Sequence, residues 1–486
     1  MAITADRPAR EGWRATLRAR LEARPGYRWI VLVSVLLGLL SVNITFTIFN
    51  VALVDIAKDL HTTQNELTWA ITGPLLLVGV AAPTAGRIGD MHGHRRLYLF
   101  GLSGAFLCAV LTASAHGVGW LIGARLLSGI EGACTTAASW SLLFRVFPPE
   151  DRTKVLGWWS LVGAGGPVLG VVLGGPVIQA YGWRWVFVVQ APLILLALLV
   201  NSIVLRETEP TAGERLDLFG ALLLALGVGS LLFGLNKSTD WGWTSTGVLV
   251  SLALCPIAIG LFVLAEQRSD DPLLPPEWLR RRNFSLPCLS SLFANFAYMG
   301  GFFLTPLLLE RGFGYSVSHA GFLQIARPLT FSIAAPVAGY LAVRTGERAA
   351  SISGVSVIVL SMLVFASLEA PGNDAVIVLA LALSGLGMGV AAPSLSASLA
   401  NAVELARMGT ASAAMQMMGQ VGAVAGIQLM ETVQVGRQHA AGVVGSFSEA
   451  YLVGAFAAGL GVVAAVFMRR TVPEQAPFVP VEPMVG

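Results

Sequence analysis

The feature that most limits what this chain can fold into is a succession of apolar stretches. Each is about 20 residues long, the length an α-helix needs to cross the hydrocarbon core of a membrane. About fourteen such windows are readable, at roughly 28–53, 66–86, 96–115, 118–142, 154–179, 184–205, 216–236, 246–266, 285–309, 317–342, 350–368, 374–399, 408–432 and 447–468. Hydrophobic residues make up 55% of the chain and charged residues only 12%, against roughly 25% charged in a soluble globular domain, which excludes a water-soluble globule. The expected fold is an all-α integral membrane protein with fourteen transmembrane helices.

Lys and Arg concentrate in loops that stay in the cytoplasm. With the N-terminus inside, about 24 of the 31 Lys and Arg fall on the cytoplasmic side, so both termini are expected there, in a multi-pass protein of the cell (inner or plasma) membrane. Residues 1–27 form a basic tail, and the stretch DRPAREGWRATLRARLEARPGYR, which runs to Arg28, carries seven Arg suited to anionic lipid headgroups. The first apolar stretch is a full span without a small-residue cleavage site, so no cleaved signal peptide is expected. Residues 471–486 are proline-rich and are expected to be a disordered cytoplasmic end. Cys108, Cys134, Cys255 and Cys288 have no zinc-site spacing and are read as buried thiols. No metal or cofactor is expected, and a net charge of +3 gives no reason to invoke nucleic acid.

The chain repeats itself. GRIGDMHGHRR, after the second window, aligns without gaps with GYLAVRTGER, after the tenth: Gly86 with Gly339, Ile88 with Leu341, Gly93 with Gly346 and Arg95 with Arg348. Two homologous six-helix halves follow, at 28–205 and 285–468, with an inserted two-helix hairpin at 216–266.

At these residues the chain resembles the major facilitator superfamily, and within it the fourteen-helix drug-and-proton antiporter branch. Gly86, Asp90, Gly93 and Arg95 match the signature between its helices 2 and 3, while Met91 departs from the usual Arg. In RLLSGIEGAC, Arg125 and Gly129 match the helix 4 motif, Ser128 replaces a Gln, and Glu131 stands where Gly is usual. In GAGGPVLGVVLGG, Gly166, Pro167 and Gly170 match the helix 5 antiporter motif and Gly174 continues the series. Glycines four apart form a smooth face for close packing, and a proline favours a bend. YGWRWVFVVQAPL, LDLFGALLLALG, DDPLLPPEWLRRRNF and GTASAAMQMMGQVGAVAG extend the resemblance over about 28–470. It implies a secondary exporter of amphiphilic small molecules working by alternating access and coupled to protons.

One departure matters. The family's first helix carries an Asp before its Thr and Asn-Val-Ala-Leu, and here Thr45 takes that place while Thr47 and Asn50 to Leu53 keep register. Three ionisable residues instead fall inside windows: Arg125, Glu131 and Arg327. Such groups are costly in a membrane and default to functional hypotheses. Glu131 is expected to take over the proton, since moving a carboxyl between dry and wet surroundings changes its proton affinity; the competing reading is a permanent ion pair with Arg125 or Arg327. Arg327 either meets Glu131 as a gate or binds an anionic group of the substrate. Asn43, Thr45, Asn50, Asn295, Gln324, Gln416 and Gln420 are the expected polar lining of the substrate path, the competing reading being helix-to-helix hydrogen bonds. His92 and His94 are read as solvated loop residues.

Competing functions remain an uncoupled facilitator or lipid mover on the same frame, and a non-transporting sensor. An ATP-driven pump lacks its GxxxxGK[ST] loop, and no catalytic set of nucleophile, base and orienter can be assembled. Two complete halves in one chain mean that an oligomer is not required.

Overall fold

The windows are realised as helices in a computed structural model, which describes residue 24 and residues 26–44, 48–62, 64–208, 217–269 and 272–469. Most of the expected basic tail and all of the proline-rich end lie outside the described residues. In chain order the helices are α1 (Tyr27–Asn43), α2 (Ile48–Asp59), α3 (Gln64–His92), α4 (His94–Ala113), α5 (Val118–Val146), α6 (Arg152–Tyr181), α7 (Arg184–Val204), α8 (Leu218–Trp241), α9 (Thr246–Glu266), α10 (Pro276–Arg280), α11 (Arg282–Leu307), α12 (Val317–Gln324), α13 (Ala326–Thr345), α14 (Glu347–Ala366), α15 (Asp374–Ala400) and α16 (Met408–Val466). No strand occurs among the described residues. Helices satisfy their own backbone groups, as a chain in hydrocarbon must.

Three details differ from the windows. In the first window the described helices are α1, which ends at Asn43, where the side-chain amide donates to the Leu39 carbonyl (2.8 Å), and α2; residues 45–47 lie outside the described residues. The last two windows form one long element, α16, broken at Gly442, whose φ of 76° only glycine adopts freely. Among the described residues nine helices are long and apolar enough to cross a membrane by length and composition, fewer than fourteen. That count takes α16 once and omits the first window, α3, α5 and α6; α3 and α5 bury charged residues, Arg87 and Asp90 in the one and Arg125 and Glu131 in the other.

The helices bury apolar faces in separate clusters. One large core joins α11 to α16 around Phe296, Tyr298, Phe365 and Tyr451, while α1 and α3 to α7 pack around Val35, Leu102 and Leu143, and α2 buries Phe49 and Ile56 in a cluster of its own with Leu121 and Phe187. The inserted α8 and α9 have their own core, sealed by Leu76 of α3 and by Met417 and Val424 of α16. The two repeats meet along two seams, α3 against α16 and α6 against α13, and α8 lies on the first of them.

The seams require glycine. A Cβ on Gly339 of α13 would stand 2.7 Å from the Thr153 carbonyl oxygen of α6, and one on Gly157 of α6 would stand 2.6 Å from that of Ala335. Gly93 and Gly346, equivalent in the two loops, both hold positive φ (99° and 88°), so the repeat read from sequence is also a repeat of backbone conformation.

Candidate functional site

Asp90 closes one end of the molecule. It sits in the last turns of α3 and is 1% exposed. Its carboxylate accepts hydrogen bonds from the backbone N–H of Gly409 (3.0 Å) and Thr410 (2.9 Å) and from Thr410 Oγ1 (2.8 Å). Those amides are free donors of the first turn of α16, so an anion from one half caps a helix of the other. His94 completes the contact with Nε2 at 2.9 Å from Asp90 Oδ1. This corrects the sequence reading of His94 as solvated: it is 0% exposed. The repeat showed the loop, but only the packing of α16 reveals that the imidazole fills the space beneath it.

The second loop closes its seam with different chemistry. Val343 stands in the register of Asp90, and Glu347 supplies the carboxylate from the register of His94. Asn401 Nδ2 donates to Glu347 Oε1 (2.7 Å), and Arg152 Nη1 donates to the Ala400 carbonyl (3.0 Å) and to Asn401 Oδ1 (2.9 Å). Arg95 and Gly93 act within the first half: Arg95 Nη2 donates to the Ser202 carbonyl (2.8 Å), and a side chain on Gly93 would collide with the Glu207 carboxylate.

Between the helices lies a cavity of about 170 Å³. Five predicted residues line it: Asn43 of α1, Arg125 and Glu131 of α5, and Gln416 and Gln420 of α16. Glu131 is 7% exposed, and its Oε2 has no hydrogen-bond partner among the described residues. Arg125 faces the same cavity but is committed elsewhere, its Nε donating to the Ala70 carbonyl of α3 (3.1 Å) and its guanidinium lying 5.0 Å from the Phe49 ring centroid. The two share an electrostatic environment without a direct hydrogen bond among the described contacts, so Arg125 is a brace between helices.

Other predicted residues fall elsewhere. Asn295 donates to the Ser291 carbonyl (2.8 Å), and Gln324 ends α12, donating to the Ala320 carbonyl (3.3 Å). Arg327 is enclosed by aromatic rings of α11 and α14, so it does not meet Glu131 in this conformation. Thr45 lies outside the described residues, as do the side chains of Asn50 and Pro167. Gly166 meets Asn43, where a Cβ would lie 3.2 Å from Asn43 Cβ; Gly170 and Gly174 are buried on the same helix, which runs unbroken through Pro167. Sequence reasoning missed Gln190, a buried amide of α7 that lines the cavity and donates to the Ser41 carbonyl (2.9 Å); its signal was an amide inside the apolar run VFVVQAPL. Among the described residues no group of three His, Cys, Asp or Glu side chains is placed to hold a metal.

Two repeated helical halves, hydrogen-bonded across their seams at one end and enclosing a polar cavity, define a multi-pass membrane transporter. The chain belongs to the Major Facilitator Superfamily, whose profile matches residues 35–427. It is 30% identical over 436 residues to the tetracenomycin C resistance and export protein of Streptomyces glaucescens, covering 88% of this chain and 80% of that protein. It is 27% identical over 405 residues to multidrug resistance protein Stp of Mycobacterium tuberculosis, covering 83% of this chain and 75% of that protein. The fold is also that of the crystal structure of the human organic anion transporter MFSD10, with a TM-score of 0.69, 18% identity, and coverage of 91% of this chain and 100% of that one.

Proposed function

We propose that this protein is a secondary active exporter of amphiphilic small molecules, drugs, antibiotics or natural products among them, driven by proton antiport through alternating access. The observation that carries the reading is one cavity lined from both halves, holding a buried carboxyl whose Oε2 has no donor among the described residues beside four side-chain amides, with the halves bonded to each other at one end. Relatives named for drug resistance and export agree with it.

In this reading the fourteen windows are fourteen crossings, divided into a first bundle at 28–205, the inserted hairpin at 216–266 and a second bundle at 285–468. Both termini and the Asp90 latch face the cytoplasm of a cell whose plasma membrane holds the protein. Breaking the Asp90 contacts and those of Arg152 with Ala400 and Asn401 lets the halves rock and turns the cavity inward. Glu131 takes up and releases the proton as its surroundings alternate between the dry cavity and water. One charge crossing about 100 mV supplies roughly 2.3 kcal/mol, close to a fiftyfold gradient. Lipids and protons are partners, and a monomer contains the whole path.

Efflux of amphiphilic dyes from cells, with and without a protonophore, tests this for the wild type and for Glu131→Gln. Coupled export collapses with the protonophore, and Glu131→Gln loses it at unchanged protein level. Efflux that survives both treatments favours the second reading, an uncoupled facilitator, to which the Thr at position 45 points.

A further inference from the structure

The second half holds a buried cation that the export cycle above does not use. Arg327, in the first turn of α13, is 1% exposed. Its Nε and Nη2 have no hydrogen-bond partner among the described residues, and no described ion pair includes it. Three rings surround it, with the guanidinium carbon 5.5 Å from the centroid of Tyr298, 5.8 Å from Phe302 and 5.7 Å from Phe365. The ionisable groups whose fields reach it are Tyr298 and Tyr451, so no carboxylate among the described residues balances the charge. Ring faces offset part of the cost of burying a guanidinium, but its in-plane donors still call for oxygen acceptors.

Its place in the repeat links it to the transport path. The main-chain carbonyl of Pro74 in α3 presses on Gly129 of α5, and that of Arg327 presses on Gly385 of α15. Pro74 precedes Gly86 in α3 by the same interval as Arg327 precedes Gly339 in α13. Arg327 is therefore the second-half counterpart of a cavity-lining residue. The helix is interrupted beside it, since α12 ends at Gln324 and Pro328 has no N–H for the Gln324 carbonyl. One wall of the cage lies at the surface of the packed helices, since Phe302 is 42% exposed, and that is the side from which a ligand would approach.

We infer that Arg327 with Tyr298, Phe302 and Phe365 is a subsite for the anionic group of an amphiphilic organic anion. The guanidinium fork takes two oxygens of a carboxylate or sulfonate, and the rings take the flat apolar body attached to it. This rests on the export reading and narrows its substrate class, because a lipophilic cation meets an uncompensated like charge here. Apolar faces on three sides select an organic anion over sulfate or chloride.

The test is binding of a matched series to the purified full-length protein in nanodiscs, read by energy transfer from its tryptophans to pyrene. The probes are pyrenebutyrate, neutral pyrenebutanol and cationic pyrenebutylamine. The wild type is expected to prefer pyrenebutyrate to pyrenebutanol by about tenfold and to bind the amine most weakly. Arg327→Gln, which removes the charge without creating an unpaired carboxylate, abolishes the preference and leaves pyrenebutanol binding in place. Arg327→Lys keeps part of it, roughly threefold, as a point charge without the fork. Equal binding of acid and alcohol by the wild type, a preference that survives Arg327→Gln, or equally good displacement by sulfate overturns the subsite. Dye efflux is measured separately: an anion preference without efflux removes the export reading and leaves the subsite standing.

Discussion

Gly86 of α3 and Gly409 of α16 lie backbone against backbone across the seam between the two halves. A Cβ on Gly409 would stand 2.6 Å from the Gly86 carbonyl oxygen, and one on Gly86 would stand 2.7 Å from the Gly409 carbonyl carbon. This contact puts the Gly409 and Thr410 amides within reach of Asp90. Gly409→Val should therefore part the seam. A cysteine placed at Ser412, whose hydroxyl now faces the Ala137 carbonyl (3.3 Å), should react about tenfold faster with an impermeant maleimide in inside-out vesicles of that variant. Unchanged reactivity would show that the seam closes without the glycine pair.

Asp90→Asn keeps the shape and removes the charge. One acceptor oxygen is lost beneath amides of a helix N-terminus, so the latched conformation should weaken by about 1–3 kcal/mol. The cysteine assay at Ser412 should show the same direction of change as Gly409→Val, and Asp90→Ala a larger one.

Arg125 braces α5 to the Ala70 carbonyl and the Phe49 ring. Arg125→Lys keeps the charge but shortens the reach, at a cost of about 1 kcal/mol seen as a lower unfolding temperature in detergent. Efflux should retain its protonophore sensitivity in that variant, because the coupling role proposed for Glu131 does not depend on a hydrogen bond from Arg125.

A Cβ on Gly422 or Gly426 of α16 would overlap the Leu292 or Phe296 carbonyl of α11. Gly426→Leu forces these backbones apart, at a cost of at least about 3 kcal/mol. Monodisperse protein on size-exclusion chromatography should fall severalfold, whereas Gly436→Leu, where nothing lies within 4 Å, should behave as wild type.

Trp243 Nε1 donates to Thr432 Oγ1 (2.9 Å), tying the hairpin to α16. Trp243→Phe should cost about 0.5–1.5 kcal/mol in thermal stability and leave dye efflux unchanged. A large efflux defect would mean that the hairpin takes part in the transport cycle.

The apolar windows were legible because hydrocarbon demands length and apolarity from every spanning helix, and Gly86 and Gly339 exposed the repeat. Arg125, Glu131 and Gln416 were legible as candidates because polar groups at such depth are expensive. What could not be read was which of them share a cavity: Arg327 and Glu131 lie in different halves, and their separation depends on how the bundles pack. His94 was misread because burial of a loop residue depends on a helix more than three hundred positions later.

The unequal chemistry of the two closures carries a consequence for the stroke itself. Asp90 is buried against backbone amides, where dissolved ions hardly reach, whereas Glu347 is only partly buried and bonds side chains that water can approach. Salt screens the second far more than the first. Raising ionic strength on that face should therefore weaken the Glu347 contacts, which sit beside the Arg152 bridge, ahead of the Asp90 contacts, so that the α6 and α13 side is expected to yield first.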